Sequence, residues 1–156
     1  MKRYKKILLV LLIVCIAIQF IQPAYNTSGQ VLWTDITKTV SVPDKVLDIF
    51  KNSCYDCHSN NTRYPWYVYI QPMGWMMARH IKNGKKNLNF SEFGSYSLRK
   101  QVNKLRAIET SIKEESMPLS SYTIIHTDAK LSEEDRKLIT DWISNTKDSL
   151  ENKNKR

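Results

Sequence analysis

The sequence predicts an all-α domain that follows an N-terminal membrane anchor, and three observations lead to this prediction. Apolar residues recur at helical spacing in several segments, the alternation typical of strands is scarce, and an apolar run from Ile7 to Ile21 follows a basic N-terminus. The 156 residues are enough for one domain of ordinary size with one core. We divide the chain into an anchor at 1–21, a tether at 22–40, a helical domain at 41–147 and a charged tail at 148–156.

The N-terminal segment has the charge pattern of a membrane signal. "MKRYKK" carries four positive charges, and "ILLVLLIVCIAIQFI" behind it is apolar except for Gln19. Fifteen residues are fewer than the roughly 20 that span a bilayer, and they match the core of a signal peptide. No A-x-A-like cleavage site follows. We therefore expect an uncleaved anchor in the cytoplasmic membrane rather than a cleaved signal, with the rest of the chain in the periplasm.

Two of the predicted helices begin at prolines. Pro43 opens a segment with apolar residues at helical spacing, which runs into "CYDCH". Pro72 opens "PMGWMMARHIKNG", which we expect Gly84 to stop. Between them lies "SNNTRYPWYVYIQP", which is rich in Asn, Pro and aromatic residues and is predicted to be a structured loop.

Two further helices complete the all-α prediction. Residues 97–115 place five apolar side chains on one face, and Pro118 breaks this helix. The last helix has Ser132 as its N-cap, three acidic residues in its first turn and an apolar stripe that includes Trp142.

The net charge of +9 does not indicate a nucleic-acid-binding protein. Four of the 24 Lys and Arg residues precede residue 7, and the later basic runs accompany no nucleic-acid motif. Such runs are usually solvated helix faces, and a docking surface for an acidic partner protein is the alternative.

The stretch "CYDCH" has three possible chemistries: a redox dithiol, half of a zinc site, or a haem attachment point. C-x-x-C-H is the attachment signature of c-type haem, in which both thiols become thioethers and the histidine binds the iron. A structural zinc site needs a second pair of ligands, which the sequence lacks, and a thioredoxin-like dithiol expects a βαβ neighbourhood. We therefore predict one covalent haem c per chain, on Cys54 and Cys57, with His58 as an iron ligand.

The second axial ligand of the iron has several candidates. Met117 is favoured because it follows a helix, precedes Pro118 and lies 59 residues after His58. His80 is the strongest rival, on the apolar face of its helix, whereas His126 lies in a polar loop. The remaining candidates are methionines at helical spacing, a pattern more typical of a core: Met73, Met76 and Met77.

Three stretches resemble a bacterial family of membrane-anchored haem-binding domains with a C-x-x-C-H motif. They are "CYDCHSNNTRYPWY", "IQPMGWMMARHIKNGKKNLNFSEF" and "MPLSSYTIIHTDAKLSEEDRKLITDWI", and the resemblance covers residues 31–147. The Met-Pro pair before a terminal helix with an aromatic residue is also similar to class I cytochromes c. The resemblance implies a cytochrome c-like helical domain at 41–147, with haem on Cys54 and Cys57, His58 as the proximal ligand and Met117 as the distal ligand.

The anionic propionates of a haem need hydrogen-bond donors near the motif. Arg63, Tyr64 and Trp66 follow the motif closely in sequence, so we predict that they contact the haem. The alternative is that Arg63 is a solvated loop charge.

These features predict a membrane-anchored electron carrier rather than an enzyme. With His58 and Met117 both on the iron, no small-molecule substrate is expected, and the partners would be redox proteins at the same membrane. The alternative is a haem enzyme or ligand sensor with an open sixth position, in which His80, His126 or Arg63 would serve as the distal group. A haem-bearing subunit of a larger respiratory complex is a third hypothesis.

Overall fold

The computed structural model describes residues 2–154 and contains no β-strand within them. Residues 2–154 form eight α-helices and four short 3-10 helices. The α-helices are α1 (Arg3–Ala17), α2 (Ile36–Thr39), α3 (Asp44–Ser53), α4 (Tyr55–His58), α5 (Met73–Asn87), α6 (Leu98–Lys113), α7 (Ser120–Thr123) and α8 (Glu133–Asn154). The 3-10 helices are Ile18–Phe20, Trp66–Tyr69, Phe90–Ser95 and Thr127–Ala129. The all-α prediction is confirmed.

The N-terminal helix α1 has fifteen residues, and none of its side chains is buried. Within residues 2–154, no helix combines the length and the apolar character that crossing a membrane requires. The anchor helix expected from the sequence is therefore not found.

Residues 22–40, expected to be a tether, pack against the domain. Ile36 is fully buried, and Thr34 Oγ1 donates a hydrogen bond of 2.9 Å to the carbonyl of Ser91. Gly94 lies so close to this segment that an added Cβ would meet the Cα of Thr34 at 3.2 Å. The sequence did not predict this packing, because one apolar residue makes no periodic pattern and the residues that bury Ile36 lie far away in the chain.

The helices that local patterns predicted at Pro43, 97–115 and Ser132 correspond to α3, α6 and α8. Ser132 caps α8: its Oγ accepts a hydrogen bond of 3.1 Å from the backbone N–H of Asp135. Helix α8 continues into the predicted charged tail as far as Asn154 and buries Leu150, while residues 155–156 lie outside the described residues.

Gly84 does not stop its helix, contrary to the prediction. It lies inside α5, where an added Cβ would lie 3.1 Å from the carbonyl carbon of Cys57. The glycine is needed for the close approach of α5 to α4, and packing here outweighs the usual tendency of glycine to end helices.

The core lies between α3, α6 and α8, with aromatic rings at its centre. Phe50 stacks on Phe90 at 5.1 Å between ring centroids and meets the edge of Trp142 at 5.5 Å. The indole N–H of Trp142 donates to the carbonyl of Ser41 at 2.9 Å, which satisfies its polar group. A second, smaller cluster joins Met77 and Ile81 of α5 to Val68 of the 3-10 helix Trp66–Tyr69. Tyr55, within the motif, stacks on Phe90, so the first cluster supports the "CYDCH" segment directly.

Candidate functional site

The motif "CYDCH" forms a tight turn at the end of α3. The N–H of Cys54 donates to the carbonyl of Phe50 at 2.9 Å, and the N–H of His58 donates to the carbonyl of Cys54 at 3.0 Å. One turn of helix thereby brings Cys54, Cys57 and His58 to the wall of the same cavity. Both cysteines are free thiols.

Two adjoining cavities, which we call the central cleft, lie against the motif. Their volumes are about 350 and 230 Å³, and both are lined by Cys54, His58 and Met117. The larger also has an apolar wall formed by Leu88, Phe90, Ile108, Ile112 and Leu131. A mostly apolar cleft of this size, with a few polar groups converging on it, is typical of a cofactor site.

His58 is oriented for a bond through Nε2. Its Nδ1 lies 3.0 Å from the carbonyl of Leu88, so the tautomer with a proton on Nδ1 donates to that carbonyl. Burial holds the pKa of His58 below its ordinary value, which keeps the imidazole neutral. A neutral imidazole whose other nitrogen is fixed by a backbone carbonyl is the usual form of a histidine metal ligand.

The thiols of the motif are not suited to redox exchange. Burial raises the pKa of Cys54 to about 12 and that of Cys57 to about 11, so both are protonated at neutral pH. Reactive dithiols instead have lowered pKa values, because the thiolate is the nucleophile. Within residues 2–154, no group of three or more His, Cys, Asp or Glu side chains is placed to hold a metal ion, so a zinc site has no second pair of ligands.

The structure brings three of the candidate distal ligands to the central cleft: Met117, His80 and Met77. Met117 lines both cavities and is 39% exposed, whereas His80 lines only the smaller one, together with Met77. His126 lies elsewhere: its Nε2 is 2.6 Å from the hydroxyl of Tyr67, and its ring stacks on Tyr122. Met73 and Met76 line neither cavity.

A reversal of the chain after α6 places Met117 at the cleft. Glu115 adopts the left-handed conformation, with φ of 54°, directly after the helix ends. The N–H groups of Ser116 and Met117 then both donate to the carbonyl of Ser111, at 3.0 and 3.3 Å. This arrangement is a common way to satisfy the last carbonyls of a helix, and it turns the methionine back toward the motif.

Arg63, Tyr64 and Trp66, which the sequence predicted to contact a haem, do not line the central cleft. The Nε of Arg63 is 3.5 Å from Oδ1 of Asp56, whose buried carboxylate needs a counter-charge. The hydroxyl of Tyr64 accepts a hydrogen bond of 2.7 Å from the N–H of Asn26, and Trp66 is 74% exposed.

Two features of the site were missed by the sequence analysis. Lys104 lines the larger cavity, and its place one helical turn before the apolar Ile108 was a usable signal. Tyr122 lines the smaller cavity and donates a hydrogen bond of 2.7 Å to Oδ2 of Asp56. No local pattern indicated this contact, since the two residues are 66 positions apart.

Comparison with known proteins indicates that the chain binds haem. A family model described as "Haem-binding domain" matches residues 13–145. Cytochrome c peroxidase Ccp of Escherichia coli (strain K12) is 34% identical over 109 residues, which are 67% of this chain and 23% of that protein. The chain thus spans about a quarter of the length of that curated relative. No solved structure matches.

Proposed function

Because this chain belongs to the haem-binding domain family, as the resemblance in its sequence predicted, we propose that it is a membrane-attached monohaem c-type cytochrome that carries single electrons. The observation that carries this proposal is the central cleft, where two thiols, an imidazole and a thioether line one mostly apolar cavity. These side chains fit a haem: thiols for its vinyl groups, two axial ligands for its iron and apolar walls for its rings. The bound haem supplies an iron that gains and loses one electron.

The motif residues hold the group in this proposal. Cys54 and Cys57 would hold the haem through thioethers, and Nε2 of His58 would bind its iron. The carbonyl of Leu88 fixes the imidazole plane through Nδ1, at 3.0 Å.

Met117 is the proposed distal ligand, since it lines the same two cavities as His58. A thioether is a soft, neutral ligand that suits both oxidation states of iron. It also raises the reduction potential relative to a second imidazole, which His80 would supply.

Lys104, rather than Arg63, is the proposed partner of a haem propionate. It lines the larger cavity, whereas Arg63 is already engaged with Asp56. An ammonium group beside a carboxylate forms a charge-assisted hydrogen bond, and the bond gains strength where the apolar wall excludes water.

The exposed apolar helix α1 supports attachment to a membrane. The apolar side chains of α1 are exposed and pack against nothing in the domain. A lipid environment would cover them, on the periplasmic side of the cytoplasmic membrane, and would raise the effective concentration of partner proteins at that membrane. Fractionation of cells, with mass spectrometry of the N-terminus, tests this attachment.

A haem peroxidase is the second candidate function. It is favoured by the similarity to a protein named as a cytochrome c peroxidase, and by His80 at the smaller cavity, where it would act beside an open sixth position. In that case the purified protein would bind carbon monoxide readily and turn over peroxide.

Spectroscopy of the purified full chain separates the two functions. A pyridine haemochrome assay and haem staining on a denaturing gel should show one covalent haem, which is lost when Cys54 and Cys57 are both replaced by Ala. The oxidised spectrum should contain a weak charge-transfer band near the red edge, from sulfur ligation.

Matched variants then assign the ligand. Met117→Ala should abolish the red band, whereas His80→Ala and the exposed control Met76→Ala should keep it. Loss of the band in His80→Ala alone would assign the ligand to His80. A wild-type protein without the band that binds carbon monoxide would favour the peroxidase.

A further inference from the structure

The segment that follows α1 is fastened to the domain by a set of glutamine hydrogen bonds. The N–H of Gln71 donates to Oε1 of Gln19 at 2.8 Å, and Nε2 of Gln19 donates back to the carbonyl of Gln71 at 3.2 Å. The side chain of Gln71, which is buried, donates to Oε1 of Gln22 at 2.9 Å. These contacts join segments about 50 residues apart, so the domain follows α1 without a free linker.

An exposed apolar surface surrounds this junction. The indole N–H of Trp75 donates to the carbonyl of Ile21 at 2.8 Å, which places the ring beside the end of the apolar segment. We call the exposed side chains around the junction the aromatic surface: Phe20, Ile21, Tyr69, Ile70 and Trp75. Phe20 is 84% exposed and Ile70 is 50% exposed, although nearby parts of the domain bury residues of the same types.

Basic residues continue the aromatic surface along α5. Arg79 and Lys82 lie four and seven residues after Trp75, on the same helix face, and both are exposed. Helix α5 contains no acidic residue. Aromatic rings beside exposed cations are typical of protein surfaces at the interface of a bilayer that contains anionic lipids.

We propose that the aromatic surface lies in the headgroup region of an anionic phospholipid bilayer, with Arg79 and Lys82 on lipid phosphates. This inference rests on the proposed membrane attachment and goes beyond it, because an anchor alone leaves the domain free to rotate. The surface is continuous with α1, so the lipid that covers the helix also reaches Trp75. The glutamine contacts then hold the domain in one orientation on the membrane.

The full chain in nanodiscs containing a photoactivatable phosphatidylglycerol tests the proposal. After illumination, mass spectrometry with peptide fragmentation locates the lipid adducts. We expect adducts on residues 3–21 and also on residues 69–79. Residues 31–33 are the internal control, because Trp33 is 82% exposed and lies outside the aromatic surface. They should carry few adducts.

Variants make the assignment specific. Replacement of Tyr69 and Ile70 by Ser should reduce adducts on residues 69–79 to the level of residues 31–33, whereas Trp33→Ser should change nothing there. Adducts on residues 3–21, with no excess on residues 69–79 over the control, would overturn the proposal and leave the attachment standing. Adducts on neither segment would overturn both, while the haem proposal would be unaffected.

Discussion

Replacing Tyr122 by Phe should loosen the proposed distal ligand without removing haem. The hydroxyl of Tyr122 donates to the buried carboxylate of Asp56 at 2.7 Å, and Asp56 lies two residues before His58. Tyr122 lies five residues after Met117, in the short helix α7. The hydrogen bond therefore sets the position of the methionine segment relative to His58.

The free energy lost in Tyr122→Phe can be estimated from the hydrogen bond that the substitution removes. A hydrogen bond to a charged group contributes about 1.5–3 kcal/mol. Phe keeps the ring that stacks on His126, with 4.3 Å between centroids, and Asp56 keeps its hydrogen bond of 2.9 Å from the N–H of Arg63. The loss should therefore be at the lower end, about 1.5 kcal/mol, which makes an open methionine segment about tenfold more populated.

Titration with imidazole provides the assay. An exogenous ligand that competes with Met117 should bind Tyr122→Phe about tenfold more tightly, and the red charge-transfer band should weaken. Tyr69→Phe is the matched control, since Tyr69 is exposed and lies away from the central cleft. If Tyr122→Phe lowered only the melting temperature and left imidazole affinity unchanged, Tyr122 would stabilise the fold without positioning the ligand.

Three further predictions concern packing and charge. Gly84→Ala should lower the free energy of unfolding by about 2 kcal/mol. The new methyl group meets the rigid backbone of Cys57, at a cost of about 3 kcal/mol, and gained helix propensity offsets about 1 kcal/mol of it. An unchanged melting temperature would refute this close contact. Lys104→Ala should lower the midpoint reduction potential, because it removes a positive charge beside the proposed haem. Lys100→Ala is the control and should leave the potential unchanged, since the Lys100 ammonium lies over a tyrosine ring. Equal potentials in wild type and both variants would exclude Lys104 as the propionate partner. Hydrogen bonds from lysines on α6 and α8 hold the pKa of Glu109 below its usual range. The ionised carboxylate therefore stabilises the fold above its unfolded-state pKa, and this stabilisation is lost as the pH falls through the folded-state pKa. Glu109→Gln should thus cost about 1 kcal/mol at neutral pH and nothing in strong acid, as measured by urea unfolding, and a cost that did not depend on pH would contradict this origin.

The parts of the fold that could be predicted are those with local signals. Ser132 and the acidic turn after it marked α8, and apolar spacing marked α3 and α6, because capping and periodicity depend only on neighbouring residues. The motif residues and Met117 were also identified locally, and the structure brings them to one cleft.

Long-range contacts account for what the sequence did not predict. Gly84 was expected to end a helix, but the approach of α4 makes it an interior residue. Ile36 carried no periodic pattern, yet it is fully buried by segments that lie far along the chain. In both cases the deciding partner was another part of the fold.

The contact between Tyr122 and Asp56 also has a consequence for the order of assembly. Asp56 lies between the two cysteines of the motif, and Tyr122 and Leu119 form part of the wall around them. In the proposed cytochrome a haem has to pass this wall to reach both thiols, so we expect thioether formation before α7 docks. Synthesis proceeds from the N-terminus, and Cys54 and Cys57 emerge about sixty residues before Met117. The growing chain therefore has an interval in which the thiols are open, and the arrival of α7 ends it.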